Sequence, residues 1–230
     1  MLVDFSQLTS HLRADDIREY VFLTPDQTDN QNAGLRLLVI DEGAELQIFK
    51  GTDEVSYYLL SGRGSLAIPK ISSQSRWTLD PDTAMWVPAN TKHSIINSGE
   101  GPFRCLAAHC RSKSQQSGKV KVVGMSQFQV QYLVGFVSRS IFTPEALAAA
   151  GASRTLGMDL ETLTPKSTLG SHEHEEEILY MLRGRGFVRI GERNFSVKPG
   201  SMVYTGPHSV HSVHNTDDDD FQYLVWEFRP

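Results

Sequence analysis

Apolar residues along this chain fall into short runs that alternate with polar positions, and Gly, Pro, Asn and Asp break the runs. A period of two predicts β-strands joined by turns. Two stretches show the form: YYLLSGRGSLAIP (57–69) and LYMLRGRGFVRIG (179–191). Each is an apolar run, then Gly-Arg-Gly, then a second alternating run. Glycine supplies the backbone freedom of a turn, so each stretch predicts a β-hairpin. Helix signals are few. In TPEALAAAG (143–151), Thr143 is an N-cap, Pro144 suits the first helical position and Gly151 is a stop, which predicts one short helix. Residues 10–20 predict another turn or two of helix. RSKSQQSGK (111–119) is polar and aperiodic and reads as a linker.

The two Gly-Arg-Gly stretches lie 122 residues apart, and they are not the only correspondence. DPDTAMWVPANTKHSIINS (80–98) aligns with KPGSMVYTGPHSVHSVHNT (198–216) at an offset of 118, matching Pro81 with Pro199, His93 with His211 and Asn97 with Asn215. The same offset carries FRCL (103–106) onto FQYL (221–224). The drop from 122 to 118 places four extra residues in the first copy, within the polar KISSQSR loop (70–76). Three ordered blocks with one small gap imply an internal duplication. The expected fold is therefore all-β: two tandem barrels of the jelly-roll type with a few short helices, closed so that few strand edges are exposed. The expected division is 1–110 for the first barrel, 111–120 for the linker and 121–230 for the second.

Bulk properties narrow the function. The net charge of −5 and the absence of a Lys/Arg cluster argue against nucleic acid as a partner. No apolar run approaches membrane-spanning length, and MLVDFSQLTSHLRADD lacks the apolar core of a signal peptide. Cys105 and Cys110 share one apolar segment at odd spacing, so on a strand they face opposite ways. Free thiols in a reducing cytoplasm are the expectation.

The candidate chemistry is concentrated in SHEHEEEILYML (171–182). On a strand His172 and His174 would face one side together, and Glu177 opens the apolar run. His211 comes from a separate strand about thirty residues later. Imidazoles and a carboxylate converging from two hairpins suit a divalent transition metal with positions left for water or substrate. Glu176 is an alternative to Glu177. In HSVHSVH (208–214) the spacing is three, so these histidines cannot share one face of a strand. His211 is the ligand choice, His208 sits in the turn as a pocket-mouth or acid–base residue, and His214 faces outward. Arg183 shares a face with Glu177 on strict alternation and can bind a substrate carboxylate. Tyr204 and Trp226 can be core or pocket wall, and Tyr204 joins His208 and Arg183 as a catalytic candidate. His11 and His109 read as structural, and DDDD (217–220) as a solvated turn. Aligned on Gly62, the first copy carries Lys50, Thr52 and Val55 where the second has His172, His174 and Glu177. Only His93 remains there, so the first barrel is expected to hold no metal.

These residues resemble the motifs of the cupin superfamily, G-x5-H-x-H-x(3,4)-E-x6-G and G-x5-P-x-G-x2-H-x3-N. Glu177 and Gly184 fit the end of the first. Gly200, His211 and Asn215 fit the second, with Gly206 in place of its Pro and His208 in place of its second Gly. In the first copy, Pro88, His93 and Asn97 fit the second motif. One departure falls at the ligands: two residues separate His174 from Glu177, where the motif has three or four. The overall plan is similar to the ureidoglycine aminohydrolases, two-barrel proteins with a degenerate first barrel and manganese in the second. FLTPD (22–26) and MVYTGPHSVH (202–211) carry that likeness. Their E-x-H-x3-H pattern is occupied here by Ser171, Glu173 and Glu177, and their later Gln by His211. The resemblance implies a Mn, Fe, Ni or Zn ion on His172, His174, Glu177 and His211. It implies a small-molecule substrate, turned over by a hydrolase, dioxygenase or isomerase, and a homodimer. The alternative is a two-barrel protein that binds metal or ligand without turnover.

Overall fold

The structure is a computed structural model that describes residues 1–48, 51–69, 76–114 and 118–230. Among these residues the strands form four antiparallel sheets, and the second pair repeats the first strand for strand. In the first half a seven-stranded sheet runs in the order Lys121–Val123, Ala84–Val87, Asp53–Ser61, Phe103–Arg111, Ala33–Ile40, Ile17–Leu23, His11–Ala14. It faces a four-stranded sheet of Glu45–Ile48, His93–Asn97, Gly64–Ala67 and Arg76–Leu79. In the second half the larger sheet is Leu2–Asp4, Ser201–Thr205, Glu176–Arg183, Phe221–Phe228, Thr155–Leu163, Phe136–Phe142, Gln129–Leu133. The smaller is Thr168–His172, His211–Asn215, Gly186–Ile190 and Arg193–Val197.

The duplication holds residue by residue in the hydrogen-bond register. Glu177 lies opposite Thr205 and Glu227, and Val55 lies opposite Val87 and His109, with the pairs on the neighbouring strands related by the same offset of 118. The halves also exchange a strand. Leu2–Asp4 pairs with Ser201–Thr205 of the second barrel, and Lys121–Val123 pairs with Ala84–Val87 of the first. The sheets thus do not divide at 110 and 121: the opening residues of each half close the other half's sheet. Residues 70–75 of the KISSQSR loop and 115–117 of the linker lie outside the described residues.

Three apolar clusters explain the strand sequences. One fills the first barrel around Leu38, Tyr57, Leu66 and Phe103. Another fills the second around Leu179, Met181, Val188 and Phe221. The largest lies between the barrels, where the outer faces of the two seven-stranded sheets bury Trp86, Tyr58, Tyr180, Leu224 and Trp226 against one another. A strand covered on both faces loses its polar alternation, which is why FQYLVWEF is nearly all apolar. Cys105 belongs to the first barrel's interior and Cys110 to the inter-barrel core, on opposite faces of one strand.

The helix lies at Pro144–Ala150, with the Thr143 hydroxyl accepting from the Ala146 N–H at 3.3 Å and Gly151 left-handed at φ +100°. Residues 10–20 are not helical. They fall on the paired strands His11–Ala14 and Ile17–Leu23, because the β-branched and aromatic IREYVFL fits a half-buried sheet surface better than a helix. The expected Gly-Arg-Gly hairpins are corrected as well. Asp53–Ser61 and Gly64–Ala67 belong to different sheets, as do Glu176–Arg183 and Gly186–Ile190. The glycines turn the chain from one sheet to the other. Gly184 sits at φ +77°, and a Cβ on it would meet the Asp220 carbonyl oxygen at 2.6 Å and Phe221 Cα at 2.9 Å. Gly184→Ala is expected to cost on the order of 2 kcal/mol through left-handed strain and this backbone contact. The measurement is the thermal midpoint of the variant; an unchanged midpoint would refute the sheet-crossing account of this glycine.

Candidate metal centre

His172, His174, Glu177 and His211 line one small cavity inside the second barrel, ≈ 40 Å³ in volume. That is room for an ion and a few waters or a small ligand. His172 ends its strand and stands directly opposite His211 in the register, their rings 4.3 Å apart. A bulge between Leu169 and His172 produces this pairing. His174 is not on the same strand, as alternation would have it. It lies in the loop before Glu176–Arg183, exposed at the cavity mouth, with its ring 5.1 Å from that of His172. The short spacing from His174 to Glu177 is therefore a loop that carries the imidazole over the barrel end.

Hydrogen bonding orients two of the imidazoles. His172 Nδ1 lies 2.6 Å from the Gly170 carbonyl and His211 Nδ1 lies 2.9 Å from the Ser209 carbonyl. A carbonyl only accepts, so both Nδ1 atoms carry the proton and each Nε2 is the atom available to an ion. His211 Nε2 stands 3.0 Å from Glu177 Oε2, which also accepts from the Thr205 hydroxyl at 3.2 Å. Burial alone would lower the His211 pKa, but Glu177 outweighs it and raises the group above its ordinary value. Burial is the chief cause that lowers His172.

Glu176 and Glu177 part company by strand alternation. Glu177 points into the barrel. Glu176 is fully buried on the other face, where its carboxylate accepts from the Tyr204 hydroxyl at 2.7 Å and the Asn30 amide at 3.3 Å, between the barrels. Glu176 therefore cannot substitute for Glu177 at the cavity.

Two further acids line the cavity. His174 Nδ1 lies 3.3 Å from Glu227 Oε1, and its Nε2 lies 3.9 Å from Glu177 Oε1; these three residues place one ligand atom each within 4.8 Å of one another. Glu161 and Tyr223 also line the cavity. Desolvation, reinforced by neighbouring carboxylates, pushes Glu161 up to about 8 and Glu227 up to about 7. The signal for both was in the sequence. In DLETL and FQYLVWEF an acid occupies the face that otherwise points into the barrel, a costly place without a cationic partner.

The expected catalytic residues lie elsewhere. Tyr204 faces the inter-barrel seam, where its hydroxyl also meets Asp29. Arg183 is exposed at the far end of the strand Glu176–Arg183, beyond a bulge at Met181 that breaks strict alternation. His208 is an exposed turn residue at φ +55°, and its backbone N–H donates to the His174 carbonyl at 2.8 Å. None of the three lines the cavity. His214 faces outward and stacks on Phe187 at 4.1 Å.

The first barrel has the same frame without the ligands. Thr52 and Val55 hold the places of His174 and Glu177, and Lys50 lies outside the described residues. His93 Nδ1 donates to the Thr91 carbonyl at 2.9 Å as His211 does to Ser209, but its Nε2 is engaged by the Tyr57 hydroxyl at 2.9 Å. The partner of this nitrogen is a phenol, where His211 Nε2 faces the Glu177 carboxylate, a group that can itself ligate an ion. The motif asparagines are structural in both halves: Asn97 donates to the Ile40 and Gly101 carbonyls, and Asn215 to those of Leu163, Thr164 and Asp219.

Comparison with known proteins agrees with this frame. Residues 159–227 match the family model of the cupin domain. Over 65 residues the chain is 34% identical to an oxalate-binding protein of Thermotoga maritima, a match covering 27% of this chain and 54% of that protein. Over 76 residues it is 26% identical to a glucose-6-phosphate isomerase of Thermococcus onnurineus, covering 33% and 40%. These matches therefore take in about half or less of either relative. Oxalate decarboxylase of Bacillus subtilis, a protein with Mn(II) centres, superposes with a TM-score of 0.80 at 12% identity over 99% of this chain and 76% of its own. At that identity the likeness is one of fold, and it extends over both barrels. Residues 159–227 of the second barrel carry the cupin-domain match, and the two-barrel fold of the whole chain is the one it shares with oxalate decarboxylase.

Proposed function

We propose that the second barrel holds one divalent transition metal ion, Mn, Fe, Ni or Zn, on His172, His174, Glu177 and His211, and transforms a small polar metabolite there. The observation that carries this reading is the paired orientation of His172 and His211, each with Nδ1 bonded to a carbonyl and Nε2 left for an ion, beside the Glu177 carboxylate. The donor set, imidazole nitrogen with carboxylate oxygen, suits first-row metals. An ion bound there would supply Lewis-acid polarisation of a coordinated oxygen.

The rest of the lining indicates the substrate class. Among the described residues no lysine or arginine lines this cavity, whereas Glu161 and Glu227 join Glu177 on its wall. Such a wall disfavours a dianion and favours a small neutral molecule with oxygen or nitrogen donors. Glu161, beside the Tyr223 phenol, and Glu227, beside His174, are placed to accept or return a proton from that molecule. This set fits an isomerase or hydrolase better than a route that needs a cationic clamp for a carboxylate. The small volume also favours a second reading, in which the barrel holds metal or a small ligand without turnover.

The test is metal content, then turnover. Purified protein is expected to carry or take up about one first-row ion per chain, and His211→Ala to weaken that affinity by more than the ~10–100-fold lost when a partner that merely supports a ligand is removed. A protein that takes up no such ion, or a variant that binds it equally well, would sink the metal reading. Turnover of hydroxy-carbonyl or ureido compounds by the loaded protein separates enzyme from binding module.

A further inference from the structure

The first barrel encloses a cavity of ≈ 270 Å³, larger than the ≈ 40 Å³ of the proposed metal site. The shared register allows the two interiors to be compared position by position. Asp159 pairs with Val225 as Arg36 pairs with Ala107; Glu161 pairs with Tyr223 as Leu38 pairs with Cys105; Glu227 and His109 stand opposite Glu177 and Val55. Four carboxylates of the second barrel, Asp159, Glu161, Glu177 and Glu227, thus correspond to Arg36, Leu38, Val55 and His109 in the first. The acids that would draw a cation are replaced by a cation, two aliphatic groups and an imidazole.

The resulting cavity has an apolar wall that includes Leu38, Leu46 and Val55, and two guanidinium groups, Arg13 and Arg36. Two acids temper this charge. Glu19 accepts from both Arg13 Nη1 at 3.2 Å and Arg36 Nη1 at 3.3 Å, and Asp53 pairs with His109 Nδ1 at 3.2 Å. Glu19 is thus shared between the two guanidinium groups. Arg36 Nε has no hydrogen-bond partner among the described residues. The Tyr57–His93 bond closes off the position where an ion would otherwise sit.

We propose that the first barrel is a metal-free site for a small organic monocarboxylate, its carboxylate on Arg36 and Arg13 and its apolar body against Leu38, Leu46 and Val55. The charge inversion between the barrels, the open volume and the arginine pair at an apolar wall support this together. An arginine fork matches a carboxylate in geometry as well as in charge. The reading does not depend on the metal site.

The test uses the full chain and calorimetric titration with benzoate and hexanoate, with benzamide as the uncharged counterpart of benzoate. At about 10 mM, enough to saturate a site with a Kd near 1 mM, one carboxylate is expected to bind per chain. Benzamide is expected to bind about tenfold or more weakly, as loss of a charge-assisted hydrogen bond dictates. Arg36→Met should weaken benzoate by a similar factor while leaving metal content unchanged, and His211→Ala should leave benzoate binding intact. Should Arg36→Met not fold, Val55→Phe, which fills the cavity from its apolar wall, takes its place and must abolish binding. Failure of both carboxylates to bind would overturn the proposal. So would equal affinity for benzamide, indifference to these first-barrel variants, or loss of benzoate binding in His211→Ala.

Discussion

Glu54→Ala is expected to lower the stability of the folded chain by on the order of 4 kcal/mol, the scale seen when one partner of a buried charged network is removed. Glu54 is 1% exposed, on the outer face of the first barrel, and it grips the opening of a strand from the other half. Its Oε1 accepts from the Ser153 N–H at 2.7 Å and hydroxyl at 2.6 Å and from the Ser112 hydroxyl at 3.0 Å. Its Oε2 accepts from the Thr155 N–H at 3.0 Å and hydroxyl at 2.8 Å. Removing the carboxylate leaves these donors facing each other in the seam between the barrels, where water cannot replace it without opening the interface. For a chain of this size the loss corresponds to a fall of about 10 °C in thermal midpoint. The pH dependence has a definite sign. Burial alone would raise the Glu54 pKa, but the hydrogen bonds from Ser153 and Thr155 overcome it and hold the group below its ordinary 4.5. A lowered carboxylate contributes its stability above the unfolded value, and that contribution fades as pH falls through the folded value. The gap in midpoint between wild type and Glu54→Gln should therefore be constant near neutrality and shrink below about pH 4.5. A gap that widens in acid would show that the carboxylate is not the stabilising form.

Glu177→Gln and Glu176→Gln, adjacent and chemically identical changes, are expected to have opposite consequences. Glu177→Gln removes the carboxylate that stands 3.0 Å from His211 Nε2 and should cost metal affinity by about 100-fold or more, while relieving crowding among Glu161, Glu177 and Glu227. Its stability in the absence of metal should fall little. Glu176→Gln should keep its metal and lose roughly 1–3 kcal/mol of stability, because an amide can accept from Tyr204 or Asn30 but also presents an unmatched donor to a buried seam. Metal analysis and thermal melts on both variants decide the matter. Metal loss in Glu176→Gln with retention in Glu177→Gln would reverse the assignment of ligand.

The duplication, the strands that compose it and the asymmetry between the halves are legible in the sequence. Local pattern is sufficient for these, because a strand half-buried in a barrel alternates and a repeated barrel repeats its turn residues. A fourth correspondence, FLTPD with IFTPE, marks the 3₁₀ turn Pro25–Gln27 and the helix Pro144–Ala150 at matching places and was equally available. His211 could be singled out among three histidines because a spacing of three cannot keep one face of a strand. Tertiary structure decided what depends on partners distant in sequence. The Gly-Arg-Gly stretches look like hairpins locally, yet the chain crosses between sheets there, since each strand finds its hydrogen bonds with strands from elsewhere in the fold. Tyr204 and Arg183 alternate correctly but fall on the inter-barrel seam and beyond a bulge. The choice between Glu176 and Glu177 rests on which face of their strand meets the other barrel, and no local pattern records that when both faces are buried. The contrast between an acid-lined interior and an arginine-lined one emerges only when the register brings Asp159 and Arg36 to the same place in two copies of one barrel.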